Sequence, residues 1–255
     1  MLRLTRIEEG ACYVTDTTKL YVAWSMLCSS STLFWGCGII KELDRALSLF
    51  SQAFGEKPEA LSELFTLLQS NESPVLDAVR IAICFDNYFK AQLLLKNYLV
   101  HEMNLDVCRK NYPQFITGNA KKELLLQKTT PILIADVKQA EKQDDWSAEP
   151  LQTLTKYTIA MNTLIEEPKY REVYSTKASD DQQLFSILRR LHKTRNTLHF
   201  LSIEYAPGEI GDFAFLRDYV SNHIDALANK ILDENKPELD VGKAEIRHLE
   251  DIEFD

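Results

Sequence analysis

Apolar positions recur at helical spacing along most of the chain. Residues 17–54 carry one long helical pattern that bends or breaks near Gly36 and Gly38. Its second half sets Leu43, Ala46, Leu47 and Phe50 on one face. Gly55 is a stop signal, and Pro58 opens a shorter helix that reaches Gln69. The run Ser70-Asn71-Glu72-Ser73-Pro74 is the clearest boundary. Beyond it the spacing predicts the longest helix, over 75–103, with Ile81, Cys84, Phe85, Tyr88, Leu95 and Leu99 marking a wide buried stripe and Asn104 ending it.

The second half continues in the same way. A helix is expected over 119–142, broken near Pro131 because the ring removes a backbone donor. Ser147 caps another to residue 167, with Leu151, Leu154, Met161 and Ile165 on its buried side. Residues 168–179 read as a polar loop. A helix over 180–205 follows, ended by Ala206-Pro207-Gly208, and a last one spans 212–234. At the start, residues 1–16 are an irregular lead-in with a short strand at 11–15. The predicted class is all-α: an up-and-down helical bundle over 74–234 with a helical N-terminal extension over 1–73. Residues 235–255 read as an acidic tail with too little apolar content to specify order.

Composition supports helices. Only 8 Gly and 8 Pro occur in 255 residues, too few for a turn-rich sandwich or barrel. With 45% hydrophobic and 26% charged residues the chain is of globular type. The net charge of -9 excludes a generic polyanion binder, but residues 234–255 hold eight acids against three bases and so supply -5 of it. The rest is mildly acidic and has room for a local basic pocket. The cysteines (12, 28, 37, 84 and 108) form no C-x-x-C pair and sit mostly among apolar neighbours, as reduced, core-filling thiols of a cytoplasmic protein do. Residues 20–40 contain 21 positions without a charge, enough to span a bilayer. A third of them are Ser, Thr or Gly, so a buried or partner-facing helix is the preferred reading over a membrane span.

The candidate chemistry lies in the 180–205 helix. Projected at about 100° per residue from Leu184, Leu188, Leu191 and Leu198 share one stripe, and Arg195 and His199 fall inside it. A guanidinium on an apolar stripe is costly unless it is paired or has a task. Arg195 and His199 stand at i and i+4, so both side chains can converge on one ligand. No phosphate-cradling Gly-rich loop, HExxH, GxSxG or spaced Cys/His cluster is present, so neither a metal nor a cofactor is expected.

Arg195-Asn196-Thr197-Leu198-His199, late in an all-α chain, resembles the active-site signature of the HEPN superfamily (higher eukaryotes and prokaryotes nucleotide-binding). The segment from Phe85 to Leu94, running on to His101, is similar to the first long helix of some prokaryotic members. The resemblance covers 75–234; its one departure is that Arg195 and His199 are closer together than the family pattern. It implies metal-independent RNA cleavage or nucleotide binding, by a homodimer whose motif helices pair around one cleft, in a protein of toxin or defence type with a cognate antitoxin or regulatory partner. It assigns His199 as general acid/base, Arg195 as phosphate clamp and Asn196 as a positioning group. Arg190, His192 and Lys193 would form a substrate-binding rim, and Asp86 and Tyr88 would support the site from the long helix. Read without the family, the preferred reading makes Arg195 a buried pairing residue, bonded to a carboxylate such as Asp86, with His199 a satisfied core histidine.

Overall fold

The computed structural model describes residues 15–55, 57–70, 74–98, 100–103, 155–174, 178–197 and 210–251. The chain is all-α, with one short strand pair among the described residues. In order come α1 (Asp16–Trp35), α2 (Gly38–Lys41), α3 (Leu43–Phe54), α4 (Pro58–Gln69), α5 (Pro74–Leu95), β1 (His101–Met103) and β2 (Thr155–Thr158). After these come α6 (Met161–Glu166), α7 (Pro168–Tyr174), α8 (Ala178–Thr197), α9 (Ile210–Tyr219), a π-helical segment (Val220–Asp225), α10 (Ala226–Glu234) and α11 (Lys236–Asp251). No helix among the described residues is long and apolar enough to cross a membrane. The expected strand at 11–15 and helix over 119–142 lie outside the described residues, apart from Thr15, which is a bend.

Two compact units share the chain. One takes Leu27–Tyr88 with Thr176–Lys230, so residues 27–73 belong to the same unit as α8 rather than forming an extension of their own. Its core is Phe34, Leu43, Leu64, Ile81, Phe85, Leu184, Leu188, Leu216 and Ile224, all fully or almost fully buried. Tyr219 joins it, its ring 6.0 Å from that of Phe85 and 6.1 Å from that of Tyr88. Such tilted and edge-on pairs add about 0.5–1.5 kcal/mol each beyond area burial. The predicted break near Gly36 is real: α1 stops at Trp35 and the short α2 begins at Gly38. Cys37 provides no side-chain cap for α2. The buried Asp77 of α5 does so instead, accepting from the Gly38 amide at 3.0 Å and the Ile39 amide at 2.9 Å.

The other unit takes Met1–Met26, Phe89–Ser175 and Ile231–Asp255. Here the helix expected over 75–103 ends at Leu95. Asn97 adopts the left-handed region (φ 64°), its amide bonds to Leu94 O, and the Tyr98 amide reaches back to Leu93 O at 2.8 Å. That is a Schellman stop, and Asn is the non-glycine residue best suited to it. The chain then enters β1, antiparallel to β2, with His101 opposite Thr158, Met103 opposite Thr155 and an irregularity between.

Strand β2 also interrupts the helix expected over 147–167, whose first part, 147–154, lies outside the described residues. Thr155, Tyr157, Thr158 and Ile159 favour a pleated backbone, and helix resumes only at Met161. The loop expected over 168–179 contains α7 instead. Pro168 holds Glu167 extended (φ -79°, ψ 118°) and starts a helix whose Tyr170 and Tyr174, at i and i+4, are buried. Phe89 stacks on Tyr174 at 4.5 Å.

Within the acidic tail, residues 236–251 form α11, and 252–255 lie outside the described residues. Leu239 is 3% exposed, and the hydroxyls of Thr15 and Thr17 each donate to Glu245 Oε2 at 2.7 Å. Gly242 lets the backbones meet, since a Cβ there would lie 2.3 Å from Thr17 O. Low apolar content did not prevent order because close backbone contact and a doubly bonded carboxylate do what side-chain burial does elsewhere.

Candidate functional site

Helix α8 is positioned by its apolar side. Asp181, Leu184, Phe185, Ile187 and Leu188 are all buried, while Gln182, Gln183 and Ser186 face outward. The helix remains regular to Thr197, so Arg195 and Asn196 have helical backbone. Arg195 lies seven residues after Leu188 and eleven after Leu184, two residues that are 0% exposed. Those intervals are close to two and three turns, so Arg195 occupies the register of the buried stripe. The side chains of Lys193, Arg195 and Asn196 lie outside the described residues, as does all of His199.

Arg190 is described, and it is engaged. Its Nη2 donates to Asp212 Oδ2 in the first turn of α9, the arginine side chain being 58% and the aspartate 23% exposed. The pair ties α8 to α9, and at that exposure contributes about 0–1 kcal/mol. His192 is half-buried one turn before the motif.

The two residues expected to support the site from α5 are placed differently from each other. Asp86 is half-buried; Tyr88 is 1% exposed and packs edge-on against Phe85 and Tyr219. Tyr88 is therefore a core aromatic. Asp86 and α8 belong to one unit, but the pairing of Asp86 with Arg195 falls on an undescribed side chain.

Sequence reasoning missed a second cluster in the same unit. The chain widens into a π turn at Val220–Asp225, with helical backbone angles on both flanks. Asp225 Oδ2 accepts from Trp35 Nε1 at 2.9 Å, and Oδ1 is buried with no hydrogen-bond partner among the described residues. The His223 ring lies 4.2 Å from that of Tyr219. No motif in the sequence announces this turn.

Three thiols lie in this unit and none is activated. Burial, and then the Asp225 carboxylate, push Cys28 up. Burial, then Cys37 and Asp225, hold Cys84 well above the ordinary thiol value. Burial, followed by the Asp77 carboxylate, pushes Cys37 up to about 12. All three stay protonated at neutral pH, the wrong state for a nucleophile or a metal ligand. Among the described residues no group of three or more His, Cys, Asp or Glu side chains is arranged to hold a metal ion.

Comparison with protein-family models, with curated proteins and with solved structures finds no match for the chain.

Proposed function

We propose that the chain is a HEPN-like, metal-independent endoribonuclease of toxin or defence type, acting as a cytoplasmic homodimer. One observation carries the reading: the register of α8 puts a permanently charged residue, Arg195, in line with the fully buried Leu184 and Leu188. A cation at such a position needs a buried partner or a ligand. An RNA phosphate is a ligand of matching charge and geometry, because guanidinium presents a fork to phosphate oxygens. His199 is the general acid/base for attack by the neighbouring 2′-hydroxyl, since imidazole titrates near neutrality. Asn196 positions the phosphate, and His192 and Lys193 extend the positive rim.

The test is cleavage of total RNA in excess EDTA by the full chain, with growth toxicity as the cellular counterpart. Arg195→Ala and His199→Ala are expected to abolish cleavage while circular dichroism and the dimer's elution volume stay unchanged. Undiminished cleavage in both variants overturns the reading.

A second reading, a helical binding module without catalysis, is favoured by the ion pair that occupies Arg190. It predicts no cleavage by the wild type and a large loss of thermal stability on Arg195→Ala, as a buried partner is orphaned.

A further inference from the structure

A cavity of about 520 Å³ opens among the ends of helices α1 to α5, in the unit that also contains α8. Its volume is in the range of small-molecule sites, about 300–1,000 Å³. Ile39, Leu67 and Leu76 supply an apolar wall, and Lys41, Arg45 and Arg80 bring three cations to it. Two carboxylates, Glu42 and Asp77, also reach the lining, which leaves it at net +1 in a chain of net -9.

The charges are not equally available. Asp77 is committed to the amides of Gly38 and Ile39 and stands 3.7 Å from Arg80 Nη1. Arg45 is held at 2.9 Å by Glu63. Arg80 donates one bond, from Nη1 to Gly36 O at 3.0 Å, which fixes its guanidinium at the wall. A guanidinium has five N–H donors, so most of its capacity remains for a ligand. Lys41 is exposed; its amide bonds to Cys37 O, but its ammonium has no hydrogen bond or ion pair among the described residues.

We propose that this cavity is a binding site for a small phosphate monoester. Arg80 and Lys41 hold the phosphate, and an apolar or aromatic body lies against Ile39, Leu67 and Leu76. A phosphate monoester carries close to two negative charges at neutral pH, so it can draw on the exposed Lys41 ammonium and on the donors that Arg80 does not give to Gly36 O, although Asp77 already shares the Arg80 charge. Arg80 offers a planar fork for two phosphate oxygens, and Lys41 a mobile point charge for the third. No residue of α8 lines this cavity, and binding of a phosphate monoester here can be tested independently of RNA cleavage.

The experiment is calorimetric titration of the full chain at low salt with phenyl phosphate, inorganic phosphate and benzyl alcohol. Saturable binding is expected, in the order phenyl phosphate, inorganic phosphate, benzyl alcohol. Lys41→Ala touches no contact within the described residues and should weaken phenyl phosphate about tenfold, the equivalent of about 1.4 kcal/mol. Arg80→Lys keeps the charge but loses the fork, and should weaken it comparably with an unchanged helical spectrum. Absence of saturable phenyl phosphate binding to the wild type overturns the proposal. So does an affinity that Lys41→Ala leaves unchanged, or benzyl alcohol binding as tightly as phenyl phosphate.

Discussion

Replacing Asp77 with alanine tests whether α2 is capped from a distant helix. The carboxylate is 2% exposed and accepts from two amides at 2.9–3.0 Å, at the start of a helix whose own preceding residue provides no cap. Hydrogen bonds to a charged acceptor contribute about 1.5–3 kcal/mol each when buried. Only one of the two amides is fully committed here: Ile39 is 2% exposed, whereas the bond to Gly38 is only part-buried, so water can reach it after truncation. The expected cost of Asp77→Ala is therefore about 2–4 kcal/mol, above the roughly 1 kcal/mol of an ordinary exposed cap. For a chain of this length that lowers the melting temperature by about 5–15 °C. Asp77→Asn retains one acceptor but faces a donor toward the second amide, so it should fall between wild type and alanine. Urea unfolding followed by circular dichroism measures both, read as a shift in midpoint at constant slope. A loss below about 0.5 kcal/mol for Asp77→Ala would refute the capping argument, because only a solvated carboxylate could be removed so cheaply.

The same carboxylate raises the Cys37 thiol, so Asp77→Ala should bring that thiol down from about 12 while burial, the larger cause, keeps it above 9.0; thiol labelling against pH reads this. Between about pH 9 and 12 the unfolded chain has lost the Cys37 proton that the folded chain retains, so stability falls as pH rises through that window. Cys37→Ala should flatten the fall relative to wild type, and below pH 9 the slopes should coincide. Gly242→Val forces a Cβ against Thr17 O, 2.3 Å away, and should cost about 1–3 kcal/mol with faster amide exchange in Lys236–Asp251; unchanged exchange would sink the docking argument. Asp212→Asn releases Arg190, and if Arg190 belongs to an RNA-binding rim it should tighten RNA binding and steepen its dependence on log salt by about 0.7. Arg190→Ala should keep the wild-type salt slope, because the paired guanidinium makes no phosphate contact there; RNA affinity unmoved in Asp212→Asn removes Arg190 from the site.

Most helices were legible in the sequence wherever one side of the element is buried. The spacing of Leu43 and Ala46, or of Leu184 and Leu188, is written by the need to hide one stripe, and the structure buries these residues, although in α3 it buries Leu49 as well and leaves the expected Leu47 and Phe50 half-buried. What escaped is order produced without that stripe. Asn97 stops α5 by a backbone conformation, and the apolar spacing of Leu95 and Leu99 that argued for continuation carries no information about it. Helix α11 is held by a glycine's missing Cβ and by two threonine hydroxyls on one carboxylate, residues that count as polar in any apolar census. Strand β2 follows from β-branched and aromatic residues whose helical spacing from Leu154 to Met161 was the weaker of two competing signals.

The candidate site divides along the same line. Its position on α8 was legible, because periodicity assigns Arg195 a register whether or not anything binds there. Its occupancy was not, because register says where a charge sits and nothing about what neutralises it. Arg190 shows how far the two can differ: from sequence it is one of several cations before the motif, and in space it is already matched by Asp212, a residue 22 positions later that no spacing rule connects to it. Asp77 makes the reverse case, an acid at the start of α5 with no sequence relation to Gly38 that nonetheless governs the end of another helix and the charge balance of a cavity. Charged residues in this chain are therefore assigned by their partners across elements, and the cations of the cavity to test first are Lys41, whose ammonium has no partner among the described residues, and Arg80, whose guanidinium gives only one hydrogen bond, to Gly36 O, beside its ion pair with Asp77.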